Sequence, residues 1–240
     1  MALLSDIHSN LVALEAVLAH AAEHGFDALW VTGDIVGYGP EPDAVVERLR
    51  AMDALCVMGN HDAAACGLAP LKDFNPLAAA AASWTARQIS DDTRTYLAGL
   101  PRVRREGRFT LVHGSLRNPL WEYLSTREAV SAHLDLQETR YSIVGHTHVP
   151  LVVQRGEDGL EAFQPDEAVE CELGDLLQVI NPGSAGQPRD GDNRVAYALL
   201  ETEAPTACFY RVPYDIAATQ ARMRELGLPE PLAARLSAGR

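Results

Sequence analysis

A short apolar run that stops abruptly on side chains bearing oxygen and nitrogen is the most constraining feature of this chain, because it recurs. Leu55-Cys56-Val57-Met58 reads as a short buried strand and ends on Gly59-Asn60-His61-Asp62. An amide oxygen, an imidazole and a carboxylate in succession offer a hard metal ligand, a proton donor and a group to orient it. Taken alone, the tetrapeptide is better read as an exposed Gly-Asn turn. The remainder of the sequence reverses that preference. Met1 to Ser5 runs into Asp6-Ile7-His8, Ala28-Leu29-Trp30-Val31-Thr32 into Gly33-Asp34, Phe109-Thr110-Leu111-Val112 into His113-Gly114-Ser115, and Tyr141-Ser142-Ile143-Val144 into Gly145-His146-Thr147-His148. Residues two apart in an extended segment face the same side, so Asp6 with His8, and His146 with His148, can each address one point.

Between these runs the pattern is helical. Ser9 or Asn10 caps a helix with Leu11, Leu14, Val17 or Leu18, and Ala21 on one face and Gly25 at its end. Pro42 to Arg50 forms a second, with Val45, Val46 and Leu49 inward. Alternating strands and helices predict parallel pairing with right-handed crossovers and a site at the carboxyl ends of the strands. After Asp62 comes an alanine-rich helical stretch from Pro76 to Ile89. A Ser90-capped helix follows and stops at Gly99-Leu100-Pro101, so that residues 63–108 read as a helical, cap-like insertion. Phe74 and Trp84 lie in it and read first as core, with a pocket floor as the lesser alternative. Beyond Pro150 the pattern is strands only: Leu151 to Val153, Leu176 to Ile180, Val195 to Leu200 and Ala207 to Val212, which predicts a second, more antiparallel sheet. Helical patterning returns over 214–240, and the 240 residues suit one domain. The opening strand has scarcely room to form, so the chain start reads as incomplete.

Composition narrows the partners. The formal net charge is −13 and Lys72 is the only lysine, which opposes an extended nucleic-acid surface or an anionic membrane, since both need a basic stripe. A phosphate substrate would need bound cations to reverse the local field. Cys56, Cys66, Cys171 and Cys208 show no Cys-x-x-Cys spacing, no stretch approaches the length of a membrane span, and no leader is recognised; a reducing cytoplasm is expected. The Gly37-Tyr38-Gly39-Pro40 loop lacks the terminal Gly-Lys-Ser/Thr of a phosphate loop; Tyr38 lines a substrate mouth or is buried in a structural turn, with equal weight. Arg189, in the polar loop from Asn181 to Asp190, suits a phosphate oxygen, although a surface salt bridge is its default. His20 and His24, one helical turn apart, read as solvated.

The recurring donors are Asp6, His8, Asp34, Asn60, His113, His146 and His148, with no cysteine among them. Such a set excludes a zinc finger and suits two divalent first-row cations about 3.5–4 Å apart sharing a carboxylate. The ordered motifs Asp-x-His, Gly-Asp, Gly-Asn-His-Asp, His-Gly and Gly-His-x-His resemble the calcineurin-like metallophosphoesterase superfamily. Asn181-Pro-Gly-Ser and Gly37-Tyr-Gly-Pro resemble its small bacterial phosphoesterase and diadenosine tetraphosphatase-related type.

The resemblance implies an α/β fold, a four-layer αββα sandwich with two mixed β-sheets flanked by helices. It implies one metal on Asp6, His8 and His148, another on Asn60, His113 and His146, and Asp34 bridging, with Mn2+ the first expectation and Fe or Zn2+ as alternatives. His61 would contact the substrate phosphate or protonate the leaving oxygen, with Asn60 beside it and Asp62 orienting its ring. The expected reaction is hydrolysis of a small phosphodiester, phosphomonoester or dinucleoside polyphosphate by a hydroxide held between the cations. A non-catalytic scaffold and a metal-dependent nuclease are the competing readings. Oligomeric state is not indicated.

Overall fold

The computed structural model describes residues 1–240. In chain order the elements are β1 (Ala2–Leu4), α1 (Leu11–His24), β2 (Leu29–Val31), α2 (Pro42–Ala51), β3 (Leu55–Cys56), α3 (Asn60–Ala65), α4 (Pro76–Gln88), α5 (Asp91–Ala98), β4 (Val103–Glu106), β5 (Phe109–Val112), α6 (Arg127–Leu136), β6 (Tyr141–Ile143), β7 (Leu151–Gly156), β8 (Gly159–Phe163), β9 (Glu170–Glu172), β10 (Gln178–Asn181), β11 (Val195–Glu201), β12 (Thr206–Val212), α7 (Ile216–Glu225) and α8 (Glu230–Ala234). The strands form two six-stranded sheets, β3-β2-β1-β11-β12-β9 and β4-β5-β6-β10-β7-β8.

Each sheet is mixed. In the first, β1, β2 and β3 are parallel, and β11 joins β1 antiparallel. In the second, β5, β6 and β10 are parallel, and β4 and β7 add antiparallel neighbours. The late strands therefore do not make a separate antiparallel sheet, as their sequence pattern suggests; β11 and β12 extend the first sheet while β7, β8 and β10 extend the second. Strand pattern reports local pleating and carries no information on which edge a strand joins.

Strand alternation builds the layers. Leu3 faces the space between the sheets, where it meets Trp30, Phe109, Leu111, Tyr141, Ile143, Ile180 and Phe209. Ala2 and Leu4 face the other way, onto Leu14, Val17, Val45 and Leu49 of α1 and α2. On the far side Val112, Val144, Val153 and Val179 pack under Val130 and Leu134 of α6. The result is a helix, sheet, sheet, helix sandwich. β1, short as it is, is fully buried between β2 and β11, so two ladders compensate for its length.

Helix limits follow the sequence cues closely. Asn10 Oδ1 accepts from Ala13 N–H, Asn75 Oδ1 from Ala78 N–H and Ser90 Oγ from Thr93 N–H, each satisfying an amide the first helical turn leaves free. The helical stretch after Asp62 is shorter than residues 63–108: it ends at Ala98, and Val103–Glu106 is instead the edge strand of the second sheet. That strand reads Val-Arg-Arg-Glu, a half-exposed edge with no apolar period to mark it. α7 and α8 fold back so that Met223, Leu228, Leu232 and Leu236 pack on Tyr38, Ala78 and Ala81, and Trp84 Nε1–H donates to Leu226 O. Trp84 is half-buried against that cluster and does not line the cavity over the site. His20 is less solvated than expected, half-buried with Nδ1 2.8 Å from the Tyr197 hydroxyl.

The loop after β10 is locked against the loop after β1. A Cβ on Gly186 would lie 1.8 Å from Ile7 O, and Asn10 Nδ2–H donates to Gly186 O. The obstacle is backbone, so it cannot swing aside. Gly186→Ala is expected to cost about 2 kcal/mol or more and to lower Tm by about 4–8 °C. Gly174→Ala, where a Cβ meets nothing within 4 Å, is the matched control and should change stability by less than about 0.5 kcal/mol. Calorimetry of the two variants checks the difference.

Candidate metal centre

The two sheets point the carboxyl ends of their parallel strands at one place. Asp6 and His8 follow β1, Asp34 follows β2, Asn60 follows β3, His113 follows β5, and His146 and His148 follow β6; all seven are buried. Five of them hold left-handed backbone: Asp6 at φ 53°, His8 at 52°, Asp34 at 51°, His146 at 68° and His148 at 61°. Non-glycine residues seldom adopt it, at a cost of order 1–3 kcal/mol each in the less favourable cases. The turn re-aims each side chain from the sheet face to the sheet end. The flanking glycines let these loops touch: a Cβ on Gly59 would stand 2.1 Å from Asp34 Oδ1, and one on Gly33 would stand 2.8 Å from Gly59 N.

Hydrogen bonds at the outer edge of each ring decide which nitrogen carries the proton. His8 Nδ1 lies 3.2 Å from Val36 O and His148 Nδ1 2.5 Å from Gln187 O, so each donates there and turns a bare Nε2 inward. Those two lone-pair nitrogens are 3.2 Å apart, and Asp6 Oδ1 is 3.2 Å from the His148 nitrogen with no hydrogen-bond partner. Asp6 Oδ2 is committed to Ser5 Oγ–H and His146 N–H. A second cluster repeats the arrangement. His113 donates from Nδ1 to Thr32 O at 2.8 Å, and His146 from Nε2 to Trp121 O at 3.3 Å. The bare His113 Nε2 then faces His146 Nδ1 at 3.0 Å and Asn60 Oδ1 at 3.1 Å.

Asp34 stands between the clusters. Its Oδ1 accepts from His61 N–H at 2.9 Å, while Oδ2 lies 3.7 Å from His8 Nε2 and 3.4 Å from His113 Nε2. With every ring neutral, six acceptors and one carboxylate oxygen between them thus converge with no proton donor among them. Buried lone pairs held at such distances repel unless a cation lies between them. The donor set, neutral imidazole nitrogen and oxygen, fits divalent first-row cations.

The electrostatics agree. Burial pushes His61 down to about 4 and His146 down to about 3, and it holds His8 and His148 low as well, so these rings stay neutral. His113 goes the other way, to about 9, because the Asp34 and Asp6 carboxylates outweigh its burial. A cluster that retains a proton against burial has an unmet demand for positive charge.

The structure corrects the reading of Asp62. Its oxygens accept from Val36 N–H at 3.0 Å and Gly59 N–H at 2.9 Å, so the carboxylate braces two loops and does not orient the His61 ring. Burial, with Asp34 adding to it, raises Asp62 to about 7 against the pull of those two amides. His61 is positioned by packing: its ring lies 4.4 Å from Tyr38, 4.9 Å from Phe74 and 5.0 Å from His8, with Nδ1 buried and unpartnered. Gly37, at φ 95°, makes room for it, since a Cβ there would fall 2.5 Å from His61 Nδ1.

Above the donors opens a cavity of about 500 Å3 lined by Tyr38, His61, Phe74, Trp121, Tyr123 and Arg189 among others. Tyr38 is buried in its turn, as one of its two sequence readings has it, with a ring only 5% exposed that also lines the cavity. Arg189 makes no salt bridge. Its guanidinium carbon lies 5.6 Å from the Tyr38 centroid, Nη2–H donates to Gln187 Oε1, and Nε is buried without a partner. Phe74, read first as core, is half-buried at the rim. Sequence reasoning missed Trp121 and Tyr123; two aromatics within Leu120-Trp-Glu-Tyr, in a polar loop just after His113, are the signal available. It also missed the carbonyls of Thr32, Val36, Trp121 and Gln187 that set the histidine tautomers, for which no side-chain signal exists.

The model of the calcineurin-like phosphoesterase superfamily domain matches residues 1–205. The chain belongs to that superfamily. A crystal structure of a metallophosphoesterase from Sphaerobacter thermophilus superposes with a TM-score of 0.91 at 43% identity, covering 100% of this chain and 98% of that one. An uncharacterized protein of Methanocaldococcus jannaschii is 36% identical across 100% of this chain and 98% of its own. Phosphodiesterase YfcE of Escherichia coli is 28% identical across 83% of this chain and 85% of its own. By class this superfamily member is a metal-dependent phosphoric ester hydrolase. No helix is long and apolar enough to cross a membrane.

Two variants separate the roles assigned by this geometry. Asp34→Ala is expected to bring bound metal well below one ion per chain, whereas His148→Ala should leave about one; elemental analysis after loading with Mn2+ decides, and two retained ions in Asp34→Ala would contradict sharing. Asp62→Ala strands the buried Val36 and Gly59 amides, so it should lower stability by about 1–3 kcal/mol, visible in denaturant unfolding. A loss of turnover with unchanged stability would restore its sequence reading.

Proposed function

We propose that this protein hydrolyses a small phosphate ester, a phosphodiester, phosphomonoester or dinucleoside polyphosphate, with two divalent cations. Asp6, His8 and His148 would hold one ion and Asn60, His113 and His146 the other, with the Asp34 carboxylate shared between them. The observation that carries this reading is the pair of buried, donor-free acceptor clusters meeting at Asp34 beneath a cavity lined by an unpartnered histidine and an unpaired arginine. When bound, two such ions neutralise phosphate oxygens and acidify water, which supplies a nucleophile near neutral pH. Mn2+ is the first expectation from availability and donor type, with Fe and Zn2+ compatible with the same ligands.

The remaining chemistry belongs to side chains. Arg189, the only lysine or arginine lining the cavity, offers a planar fork to a phosphate oxygen and compensates a strongly acidic surface. Asn60 and Tyr38 border the same space. Burial outweighs the attraction of Asp34 and holds the His61 ring neutral. A dianionic or monoanionic phosphate beside it favours the protonated ring, which then donates to the departing oxygen. A cytoplasmic setting accords with four unpaired cysteines.

Initial rates of Mn2+-loaded protein on bis(p-nitrophenyl) phosphate and p-nitrophenyl phosphate test the proposal. His61→Ala should bind both ions yet lose about 10²–10⁴-fold in kcat, the usual contribution of a placed general acid. A fully active alanine variant removes His61 from the mechanism. No turnover of either ester by wild type with two bound ions would favour a non-catalytic scaffold.

A further inference from the structure

Three of the four inward-facing imidazoles are backed by carbonyls of buried residues. His8 lies against Val36 O, His113 against Thr32 O and His148 against Gln187 O, and those three residues are no more than 1% exposed. His146 is held differently. Its outer nitrogen donates to Trp121 O at 3.3 Å, the longest of the four bonds, and Tyr123, 47% exposed, lies flat on its ring with centroids 3.7 Å apart. Both contacts come from one irregular segment, residues 114–123, between β5 and α6. The backbone hydrogen bonds of that segment are internal to it: Gly114 N–H donates to Pro119 O, and Ser115 N–H and Glu122 N–H donate to Asn118 O. No sheet or helix ladder fixes where the Trp121 carbonyl stands, so side chains must.

Glu122 supplies the fastening. The Trp121 carbonyl belongs to the peptide that joins Trp121 to Glu122, so whatever fixes Glu122 fixes that oxygen. The Glu122 carboxylate, its side chain 16% exposed, accepts from the buried Ser115 Oγ–H through Oε2 and from Arg117 Nε–H at 3.0 Å through Oε1. Arg117 Nη2–H adds a second bond to Oε1. Ser115 Oγ in turn accepts from Asn118 N–H at 3.0 Å, and His133 Nδ1 accepts from Leu116 N–H at 3.1 Å, which ties the near end of the segment to α6. The two ends of the segment are thus joined through one carboxylate. The loop closes so tightly over Gly114 that a Cβ there would lie 2.9 Å from Asn118 O and 3.1 Å from Glu122 O. An exposed ion pair alone contributes little to stability. Its geometric effect is larger, because a histidine ligand whose outer nitrogen loses its acceptor also loses its orientation. We propose that Glu122 is a positioning residue for His146. Through the Trp121 carbonyl and Tyr123 it sets the ring for the cation that Asn60, His113 and His146 would hold, and it has no part in the site of Asp6, His8 and His148. This rests on the two-cation reading above and adds to it a selective control of one ion.

Calorimetric titration with Mn2+ tests the assignment without requiring turnover, each site being isolated in turn. His148→Ala leaves the site of Asn60, His113 and His146, and His146→Ala leaves the site of Asp6, His8 and His148. In the first background Glu122→Ala should raise the Mn2+ Kd about 10–100-fold, the usual effect of removing a group that orients a ligand. In the second it should leave the Kd unchanged. Ser115→Ala breaks the same clasp from its buried end and should show the same selective loss, so the test stands even where Glu122→Ala does not fold. Equal Kd with and without Glu122 in the first background would overturn the assignment. So would the same loss in both backgrounds, because a general loosening of the fold does not choose between sites. If neither background binds Mn2+ with Glu122 in place, the two-cation reading fails; if both bind and Glu122 makes no difference, only the positioning role does.

Discussion

Mutual repulsion of buried lone pairs governs this structure. His8 and His148 present bare nitrogens to each other at 3.2 Å, and His113 faces both an imidazole nitrogen and an amide oxygen at about the same separation. Their outer nitrogens are tied to backbone carbonyls, so the rings cannot relieve the conflict by exchanging tautomers. A folded chain tolerates such an arrangement only where positive charge completes it. The folding energy of the two sheets and the binding energy of cations are therefore coupled: the sandwich holds the donors together, and cations remove the cost of holding them.

That constraint explains the loops. A parallel strand directs its side chains above and below the sheet, whereas the site lies beyond the strand ends. Left-handed backbone at Asp6, His8, Asp34, His146 and His148 turns the side chains through this angle. Glycines at 33, 59, 145 and 186 let five loops converge within contact distance. Asp62, Asn181 and Ser184 then act as internal braces. Asn181 Nδ2–H donates to Gly145 O, and Ser184 Oγ–H donates to Asp6 O. Polar residues that look catalytic by type are here taken up by backbone amides and carbonyls, which keeps the strained turns in place.

The cavity above inherits its character from three separate parts of the chain. Tyr38 comes from the loop after β2, Phe74 from the segment before α4, and Trp121 with Tyr123 from the loop after β5. The tail from α7 onward, beyond the region matched by the family model, supports Tyr38 from behind through Met223, Leu232 and Leu236. Arg235 lies 5.9 Å from the same ring on which Arg189 rests. The candidate metal donors thus stand at the strand ends of the two sheets, and the cavity lining above them comes from the connections between elements.

Sequence alone picked out the candidate donors and their placement at strand ends, because ligand chemistry is written in residue type and the period of two in a strand fixes which residues share a face. It placed the starts of α1, α4 and α5 as well, where Asn10, Asn75 and Ser90 act on amides only three residues away, while α6 carried no cue that was read. Tertiary structure decided whatever depends on a partner distant in the chain. The late strands divided between two sheets, Val103–Glu106 became an edge strand, Asp62 turned from His61 to the amides of Val36 and Gly59, and Arg189 was left without a carboxylate. Each outcome turns on a backbone amide, a carbonyl or a sheet edge. Those groups are the same at every position, so only the fold can say which of them a side chain meets.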